Sequence, residues 1–208
     1  MTQTVDIAGL DVSRETLDAL EQYETLVQRW NPAINLVSKT TLATFWTRHI
    51  IDSAQLFAYC PDKVTHWADL GSGAGLPGLV VAILAKAHRP KLRVTLVEAD
   101  LRKATFLRQA AQALDLEVAV LSQRIESVTS LKADVVSARA LAPLGDLLQF
   151  CARHLAFDGT AIFPKGARYE NEIAEARKAW SFDLVQQPSI SDRDAAILVI
   201  RNIHRAQD

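Results

Sequence analysis

The sequence has few cysteines, no long apolar run and almost no net charge. Cys60 and Cys151 lie far apart and form no CxxC pair, so we expect buried free thiols in a reducing cytoplasm. No run approaches the roughly 20 apolar residues that cross a bilayer, and the N-terminus lacks a signal-peptide pattern, which predicts a soluble protein with no membrane partner. The net charge of −1 excludes neither a nucleic acid nor a small molecule as ligand, since binding depends on where positive charge lies.

Length and residue usage predict one α/β domain with a small helical extension. The 208 residues are 49% hydrophobic and 23% charged, which is ordinary globular usage, and the chain shows no internal repeat. The first 63 residues carry two helical patterns, one that starts after Ser13 and ends at Asn31-Pro32, and one over residues 40–60. We therefore predict an N-terminal helical extension over residues 1–63 and a main domain over residues 64–208, in a monomeric chain.

From Val64 onward, short β-branched runs alternate with helical stretches, which is typical of a largely parallel sheet. We predict strands over residues 64–70, 92–98, 117–121, 133–137 and 160–164, and helices over residues 77–87, 102–114, 144–156 and 169–180. Two last runs, 182–187 and 195–203, are separated by too few residues for a crossover helix, so they are expected to pair antiparallel or to lie apart. A mostly parallel sheet with a C-terminal antiparallel hairpin resembles the Rossmann-like class I methyltransferases.

Half of the eight glycines lie in one loop, directly after the first predicted strand. Gly71, Gly73, Gly75 and Gly78 stand in the sequence Asp69-Leu-Gly-Ser-Gly-Ala-Gly-Leu-Pro-Gly. Glycine lets the backbone turn sharply and approach a ligand with no Cβ in the way. A plain turn would not need so many glycines, so the loop predicts a cofactor site.

The spacing of these glycines leaves two cofactors open. Gly73, Gly75 and Gly78 satisfy the GxGxxG pattern of dinucleotide-binding proteins. Asp69, two residues before Gly71, instead gives the D-x-G-x-G-x-G order of methyltransferases, in which this carboxylate meets the cationic methionyl end of S-adenosylmethionine. The second order favours S-adenosylmethionine.

Further cofactor contacts are expected along the same edge of the sheet. Glu98 ends the second strand, where a carboxylate is suited to accept hydrogen bonds from both ribose hydroxyls. Ile125 and Glu126 follow the third strand and are candidates for the adenine edge. The loop residues assigned to the cofactor are Asp69, Gly71, Ser72, Gly73, Gly75 and Leu76.

Six short motifs carry a resemblance to one family. They are Arg29-Trp-Asn-Pro-Ala-Ile-Asn-Leu36, Arg48-His-Ile-Ile-Asp-Ser53, Gly75-Leu-Pro-Gly78, Lys103-Ala-Thr-Phe-Leu-Arg-Gln109, Ser137-Ala-Arg-Ala140 and Pro164-Lys-Gly166. Together they closely resemble the bacterial small-subunit ribosomal RNA guanine-N7 methyltransferases, once called glucose-inhibited division protein B. The resemblance implies methyl transfer from S-adenosylmethionine to N7 of a guanine in 16S ribosomal RNA, with the 30S subunit or its RNA as partner.

The resemblance also assigns residues. By the family pattern, Gly71, Leu76, Ile125, Glu126 and Arg139 map onto cofactor-binding positions. The family often has Ser-Arg-Ala where this chain has Ser137-Ala-Arg139-Ala140, and alignment on Arg139 makes this arginine the positioning residue.

The implied reaction needs neither an acid nor a base. Guanine N7 carries a lone pair and no proton, so alignment with the methyl group is sufficient, and we predict no metal ion. A methylated guanine is cationic, which argues that basic side chains serve RNA phosphates. The candidates for phosphate contact are Arg48, His49, Arg124, Arg139, Lys165 and Arg168.

Three other functions are compatible with the residues. One is a methyltransferase for a small molecule or a protein, with the N-terminal helices as a lid. Another is a cofactor-binding ribosome-assembly factor without chemistry, and the third is a nicotinamide dehydrogenase.

Overall fold

The computed structural model describes residues 4–206, in which a seven-stranded sheet forms the centre. A separate hairpin consists of β1 (Val5–Ile7) and β2 (Leu10–Val12). The sheet strands are β3 (His66–Leu70), β4 (Arg93–Val97), β5 (Val118–Leu121), β6 (Ala133–Ser137), β7 (Leu155–Lys165), β8 (Trp180–Pro188) and β9 (Ala196–Arg205). The helices are α1 (Arg14–Ile34), α2 (Lys39–Leu42), α3 (Asp52–Phe57), α4 (Gly78–His88), α5 (Leu101–Ala113), α6 (Leu144–His154) and α7 (Tyr169–Ala176).

The strand order in the sheet is β5-β4-β3-β6-β7-β9-β8, and strands β3 to β7 run parallel. β9 lies between β7 and β8 and pairs antiparallel with both, so the predicted α/β class with a C-terminal antiparallel hairpin is confirmed. From β3 the chain adds β4 and β5 on one side, and then β6 and β7 on the other. The order therefore reverses between β3 and β6, which is where open parallel sheets bind ligands.

The core is divided between the two faces of the sheet. Trp67, Val135 and Ile162 pack with α1, α3, α4 and α5, whereas their neighbours in sequence point to the face covered by α6 and α7. This alternation follows from the pleat of a β-strand. The N-terminal helix α1 shares its apolar cluster with α4 and α5, and both cysteines are buried free thiols, as predicted.

The N-terminal helices differ from the prediction. α1 does not stop at Asn31-Pro32 but continues to Ile34, where Asn35 takes the left-handed conformation and its N–H bonds to the Asn31 carbonyl. The predicted helix over residues 40–60 is divided into α2, a π-helical turn at Trp46–Ile51, and α3. A π-helical turn widens the helix by one residue, which apolar spacing does not reveal.

The β1–β2 hairpin was not predicted. Its two-residue turn consists of Ala8 and Gly9, both with positive φ, and such turns match the twist of paired strands. Ile7 and Val12 are buried against the same cluster as α1. No described helix is long and apolar enough to cross a membrane.

Candidate active site

A cavity of about 650 Å³ lies beyond the carboxyl ends of β3, β4 and β6, where the strand order reverses. Its volume suits a ligand of cofactor size. Its lining combines the glycine loop with Glu98 after β4 and the turn after β5. The residues that line it are Leu36, Val37, Ser38, Thr41, His49, Gly71, Ser72, Gly73, Ala74, Leu76, Val97, Glu98, Ala99, Lys103, Arg124, Ile125, Glu126, Arg139, Ala140 and Leu141.

The glycine loop is packed tightly against its neighbours. Gly71 has a φ of +66°, and a Cβ there would lie 2.6 Å from the Leu141 side chain. At Gly78, which begins α4, a Cβ would lie 2.8 Å from a carboxylate oxygen of Asp69. Both positions therefore require glycine, one for its backbone conformation and the other for close packing.

Asp69 lies behind the glycine loop and does not line the cavity. Its side chain is fully buried, where Oδ1 accepts a hydrogen bond from Ser137 at 2.8 Å and Oδ2 accepts one from the Gly78 N–H at 3.2 Å. Burial raises its pKa to about 6, against the lowering effect of these hydrogen bonds. The predicted contact with the methionyl end is therefore not supported, and Asp69 instead ties β3, β6 and the start of α4 together.

Glu98 lines the cavity and also fixes the glycine loop. Its Oε2 accepts from the Gly73 N–H at 2.8 Å, and its Oε1 accepts from the Asp100 N–H at 2.8 Å. Each oxygen retains a second lone pair. The carboxylate is thus held in a fixed position and still offers two acceptors to a ligand.

The remaining cofactor candidates lie on the cavity wall, with one exception. Ser72, Leu76 and Ile125 are buried lining residues, whereas Glu126 is exposed at the rim. The exception is Gly75, which shapes the loop without lining the cavity.

The N-terminal extension forms part of the cavity, whereas from the sequence its helices were expected only as a lid in an alternative function. The buried Tyr23 hydroxyl of α1 donates to the Ala74 carbonyl at 2.7 Å. Near the end of α1, the Asn31 side chain accepts from the Val37 N–H at 2.9 Å, which fixes the start of the segment Leu36–Thr41 along the cavity. The only sequence signal was the motif that ends at Leu36, and it gave no role. Lys103 of α5 is a second lining residue that was not assigned.

Arg139 follows β6 and joins the main domain to the π-helical turn. Its Nε forms an ion pair with Asp52 at 2.9 Å, one terminal nitrogen donates to His49 Nδ1 at 2.7 Å, and the other donates to the Arg48 carbonyl at 2.8 Å. Three of the five guanidinium N–H donors are therefore engaged by the protein, and the side chain is only 19% exposed. The next residue, Ala140, has a φ of +50°, a strained conformation of the kind found at functional sites.

His49 is buried against the cavity and is not suited to bind phosphate. Burial, together with the nearby Arg139 and Arg48 cations, lowers its pKa to about 4. Because Arg139 only donates, Nδ1 of His49 must accept, which leaves the ring neutral. A neutral, buried ring does not favour the phosphate role predicted for His49.

A second, smaller cavity of about 280 Å³ lies beside the first. The two share the lining residues Arg139 and Ala140, where they adjoin. Three ion pairs surround the second cavity, so its six charged side chains sum to zero. They are Arg48–Asp192 at 3.1 Å, Arg139–Asp52 at 2.9 Å and Lys165–Glu172 at 2.7 Å.

The other candidates for phosphate contact are dispersed. Arg124 is exposed at the rim of the first cavity, and Arg48 is half-exposed beside the second. Lys165 has a side chain only 9% exposed and is occupied by Glu172, so its predicted phosphate contact is not supported. Arg168 precedes α7 in a separate depression between α6 and α7. Among residues 4–206 no group of three His, Cys, Asp or Glu side chains is placed to hold a metal ion.

Solved structures share this fold at low sequence identity. A SAM-dependent methyltransferase from Aquifex aeolicus is 12% identical, with a TM-score of 0.57 over 76% of this chain and 92% of that one. M. jannaschii TYW2 in complex with AdoMet is 17% identical, with a TM-score of 0.54 over 75% of this chain and 76% of that one. The fold is therefore that of S-adenosylmethionine-dependent methyltransferases.

Sequence relatives are much closer. A ribosomal RNA small subunit methyltransferase G from Cereibacter sphaeroides (strain ATCC 17029) is 50% identical over 97% of this chain and 98% of its own length. The protein of the same name from Ruegeria sp. (strain TM1040) is 50% identical over 94% of this chain and 95% of its own length. The profile described as "GidB: rRNA small subunit methyltransferase G" matches residues 16–200. The chain therefore belongs to the rRNA small subunit methyltransferase G family.

Proposed function

We propose that this protein transfers a methyl group from S-adenosylmethionine to N7 of a guanine in 16S ribosomal RNA. The observation that carries the proposal is a pair of cavities that share one wall at the strand-order reversal. The larger cavity has the size and lining for the methyl donor, and the smaller one has the size of a single base. Family membership supplies the ribosomal RNA substrate.

The larger cavity offers contacts for each part of the methyl donor. We assign Glu98, whose carboxylate lines the cavity, to the two ribose hydroxyls, and Ile125 and Glu126 of the same lining to the adenine edge. The backbone of the loop from Gly71 to Gly73 lies against the remaining part of the cavity. When bound, S-adenosylmethionine supplies a methyl group on a positively charged sulfur, which a guanine N7 lone pair accepts without loss of a proton.

The protein contributes alignment and charge balance rather than acid–base chemistry. Arg139 lies where the two cavities adjoin and is held there by three contacts, so it acts as a positioning residue. His49 behind it stays neutral, and each cation around the smaller cavity is paired with a carboxylate. A cationic methylated guanine therefore meets no net repulsion there.

The RNA around the target base needs positive charge for its phosphates. Arg124 and Arg48 lie at the rims of the two cavities, and Arg168 lies farther along the same side of the sheet as α6 and α7. We assign these three to phosphate contact. We also assign the 30S subunit or its RNA as the substrate and expect the protein to act in the cytoplasm as a monomer.

Calorimetry tests the cofactor assignment. Glu98→Ala removes two charge-assisted acceptors, so the affinity for S-adenosylhomocysteine is expected to fall about 10- to 100-fold. Glu117→Ala changes an exposed glutamate that does not line the cavity and serves as the matched control. Tight binding of NAD, or an unchanged affinity in Glu98→Ala, would overturn the assignment.

Labelled methyl transfer tests the acceptor. Incorporation into naked 16S RNA or 30S particles is expected, and the comparison of the two identifies the substrate form. Incorporation only into small molecules or proteins of a cell extract would support a different methyltransferase. Cofactor binding without any incorporation would support an assembly factor without chemistry.

A further inference from the structure

One carboxylate that lines the smaller cavity has an oxygen with no hydrogen-bond partner among residues 4–206. Three carboxylates line this cavity, and two of them have both oxygens engaged. Asp52 Oδ1 accepts from Ser191 and Gln55 while its Oδ2 pairs with Arg139, and Asp192 uses its two oxygens for Arg48 and the Asp194 N–H.

Glu172 is the exception among these carboxylates. Both of its hydrogen bonds are made by Oε2, which accepts from the Leu144 N–H at 2.9 Å and from Lys165 at 2.7 Å. Its Oε1 makes no hydrogen bond to any residue from 4 to 206. The carboxylate is thus oriented by two contacts and leaves one oxygen available to a ligand.

Lys165 places an unused donor next to this acceptor. Its ammonium carries three hydrogens, of which one is donated to Glu172 and another to the Ala142 carbonyl at 2.9 Å. The Lys165 side chain is more than nine-tenths buried and lines the cavity. The third hydrogen has no partner among the described residues, so a donor and an acceptor lie side by side.

This pair matches one edge of guanine. Guanine carries the O6 acceptor beside the N1–H donor, whereas adenine carries the N6 amine beside an unprotonated N1, which is the reverse order. We infer that Lys165 donates to O6 and that Glu172 Oε1 accepts from N1–H of the target guanine, so that this pair selects guanine over adenine. The inference rests on the proposed function and names the base-recognition site within it.

The shape of the base supports this placement. O6 lies between N7 and N1 on the guanine ring, so an O6 and N1–H edge held by Lys165 and Glu172 leaves N7 on a neighbouring edge of the base. The cavity adjoins the methyl donor site at Arg139 and Ala140, which line both. A base bound in this way must leave its stack, as in other enzymes that modify nucleobases. Adenine would place a donor against the ammonium and a lone pair against the carboxylate, which disfavours it.

Base analogues test the inference with the unaltered protein. The substrate is 16S RNA, ligated from fragments, with guanosine, inosine or 2-aminopurine riboside at the methylated position. Inosine keeps O6 and N1–H and is expected to be methylated within about threefold of guanosine, whereas 2-aminopurine lacks both and is expected to fall at least about 100-fold. Equal rates for guanosine and 2-aminopurine would overturn the inference.

Glu172→Gln tests the acceptor directly. The amide oxygen can keep the Leu144 and Lys165 contacts, while the amide nitrogen replaces the free acceptor by a donor. The rate of guanosine methylation is expected to fall about 10- to 100-fold. The ratio of the guanosine rate to the 2-aminopurine rate is expected to fall about 10-fold, while the affinity for S-adenosylhomocysteine is expected to stay unchanged. If Glu172 has only a structural role, the methylation rates of both bases fall by the same factor, which would refute the assignment. A guanosine rate within about threefold of that of the unaltered protein would refute it as well.

Glu175→Gln is the matched control. Glu175 lies on the same helix, is exposed, pairs with Lys178 and does not line the cavity, so its variant should methylate guanosine normally. If Glu172→Gln fails to fold, the analogue series with the unaltered protein still decides the question. If the unaltered protein methylates no guanosine in 16S RNA, the proposed function fails; if it does so without discriminating among the analogues, only this inference fails.

Discussion

The contact between α1 and the glycine loop can be broken by removal of one oxygen. In Tyr23→Phe the ring remains in the core, where it packs edge-on against Phe45 with 6.0 Å between ring centres. The hydroxyl that donates to the Ala74 carbonyl is lost, and Ala74 is itself buried. The substitution therefore leaves a buried carbonyl without its partner.

The loss of stability in Tyr23→Phe can be estimated from the cost of leaving the Ala74 carbonyl unpaired. An unsatisfied buried acceptor costs about 1–3 kcal/mol, so the free energy of unfolding is expected to fall by this amount. The lost contact belongs to the loop that lines the cofactor cavity. If part of the cost appears as easier opening of the loop, affinity for S-adenosylhomocysteine falls as well, by about 2- to 10-fold.

Urea unfolding and calorimetry measure the two quantities on the same samples. Tyr59→Phe is the control, because the Tyr59 hydroxyl makes no hydrogen bond to any described residue and the chemical change is identical. A Tyr23→Phe protein that matches Tyr59→Phe in both stability and affinity would refute the claim that α1 supports the loop.

Two further predictions concern the groups around the loop. Because the pKa of Asp69 is raised from 3.8 to about 6, the folded state binds more protons than the unfolded state between these values, and ionisation of Asp69 destabilises the protein as pH rises. The free energy of unfolding of Asp69→Asn, measured with urea, should therefore rise by roughly 2 kcal/mol relative to that of the unaltered protein between about pH 4 and about pH 7. A difference that does not vary with pH would contradict this. The lowered pKa of His49 makes the free energy of unfolding rise with pH, but it does so equally in Asp69→Asn and in the unaltered protein, so the difference between them is unaffected. In Arg139→Lys, a single ammonium cannot replace the three separate contacts of the guanidinium. The kcat should therefore fall about 10- to 100-fold, while the affinity for S-adenosylhomocysteine changes less than about threefold. An unchanged kcat in steady-state kinetics would show that alignment of the base does not depend on the guanidinium.

The sheet could be predicted because its signals are local. The β-branched runs of β3 to β6 are separated by glycines and by helical spacing, and the predicted strands match the observed ones within about two residues. The short link before β9 likewise excluded a parallel crossover and left antiparallel pairing with β8, which is observed, as one of two outcomes. In each case a few neighbouring residues decide the structure.

The role of Asp69 could not be predicted because it depends on a distant strand. Its position two residues before Gly71 indicated a cofactor contact, but spacing does not state which way the side chain points. In the sheet, Asp69 is the register partner of Ser137 and lies on the same side of β3 as Trp67, whose indole also donates to Ser137. A carboxylate in that place is used by the protein itself.

The second cavity could not be predicted from the sequence either, because it is formed by residues that are distant in the chain. Its walls come from the π-helical turn, the segments after β6 and β7, α7 and the loop before β9, which are far apart in the chain. Lys165 and Arg48 were recognised as basic residues, yet only the fold shows that each is paired with a carboxylate. Sequence alone gives the charges but not their partners.

Base-resolved mapping of N7-methylguanine in 16S RNA tests the proposed function most directly. The RNA is isolated from cells with the gene, without it, and with the gene restored. We expect one guanine to lose its methyl group when the gene is absent and to regain it when the unaltered gene returns. An identical methylation map in all three strains would contradict the proposal.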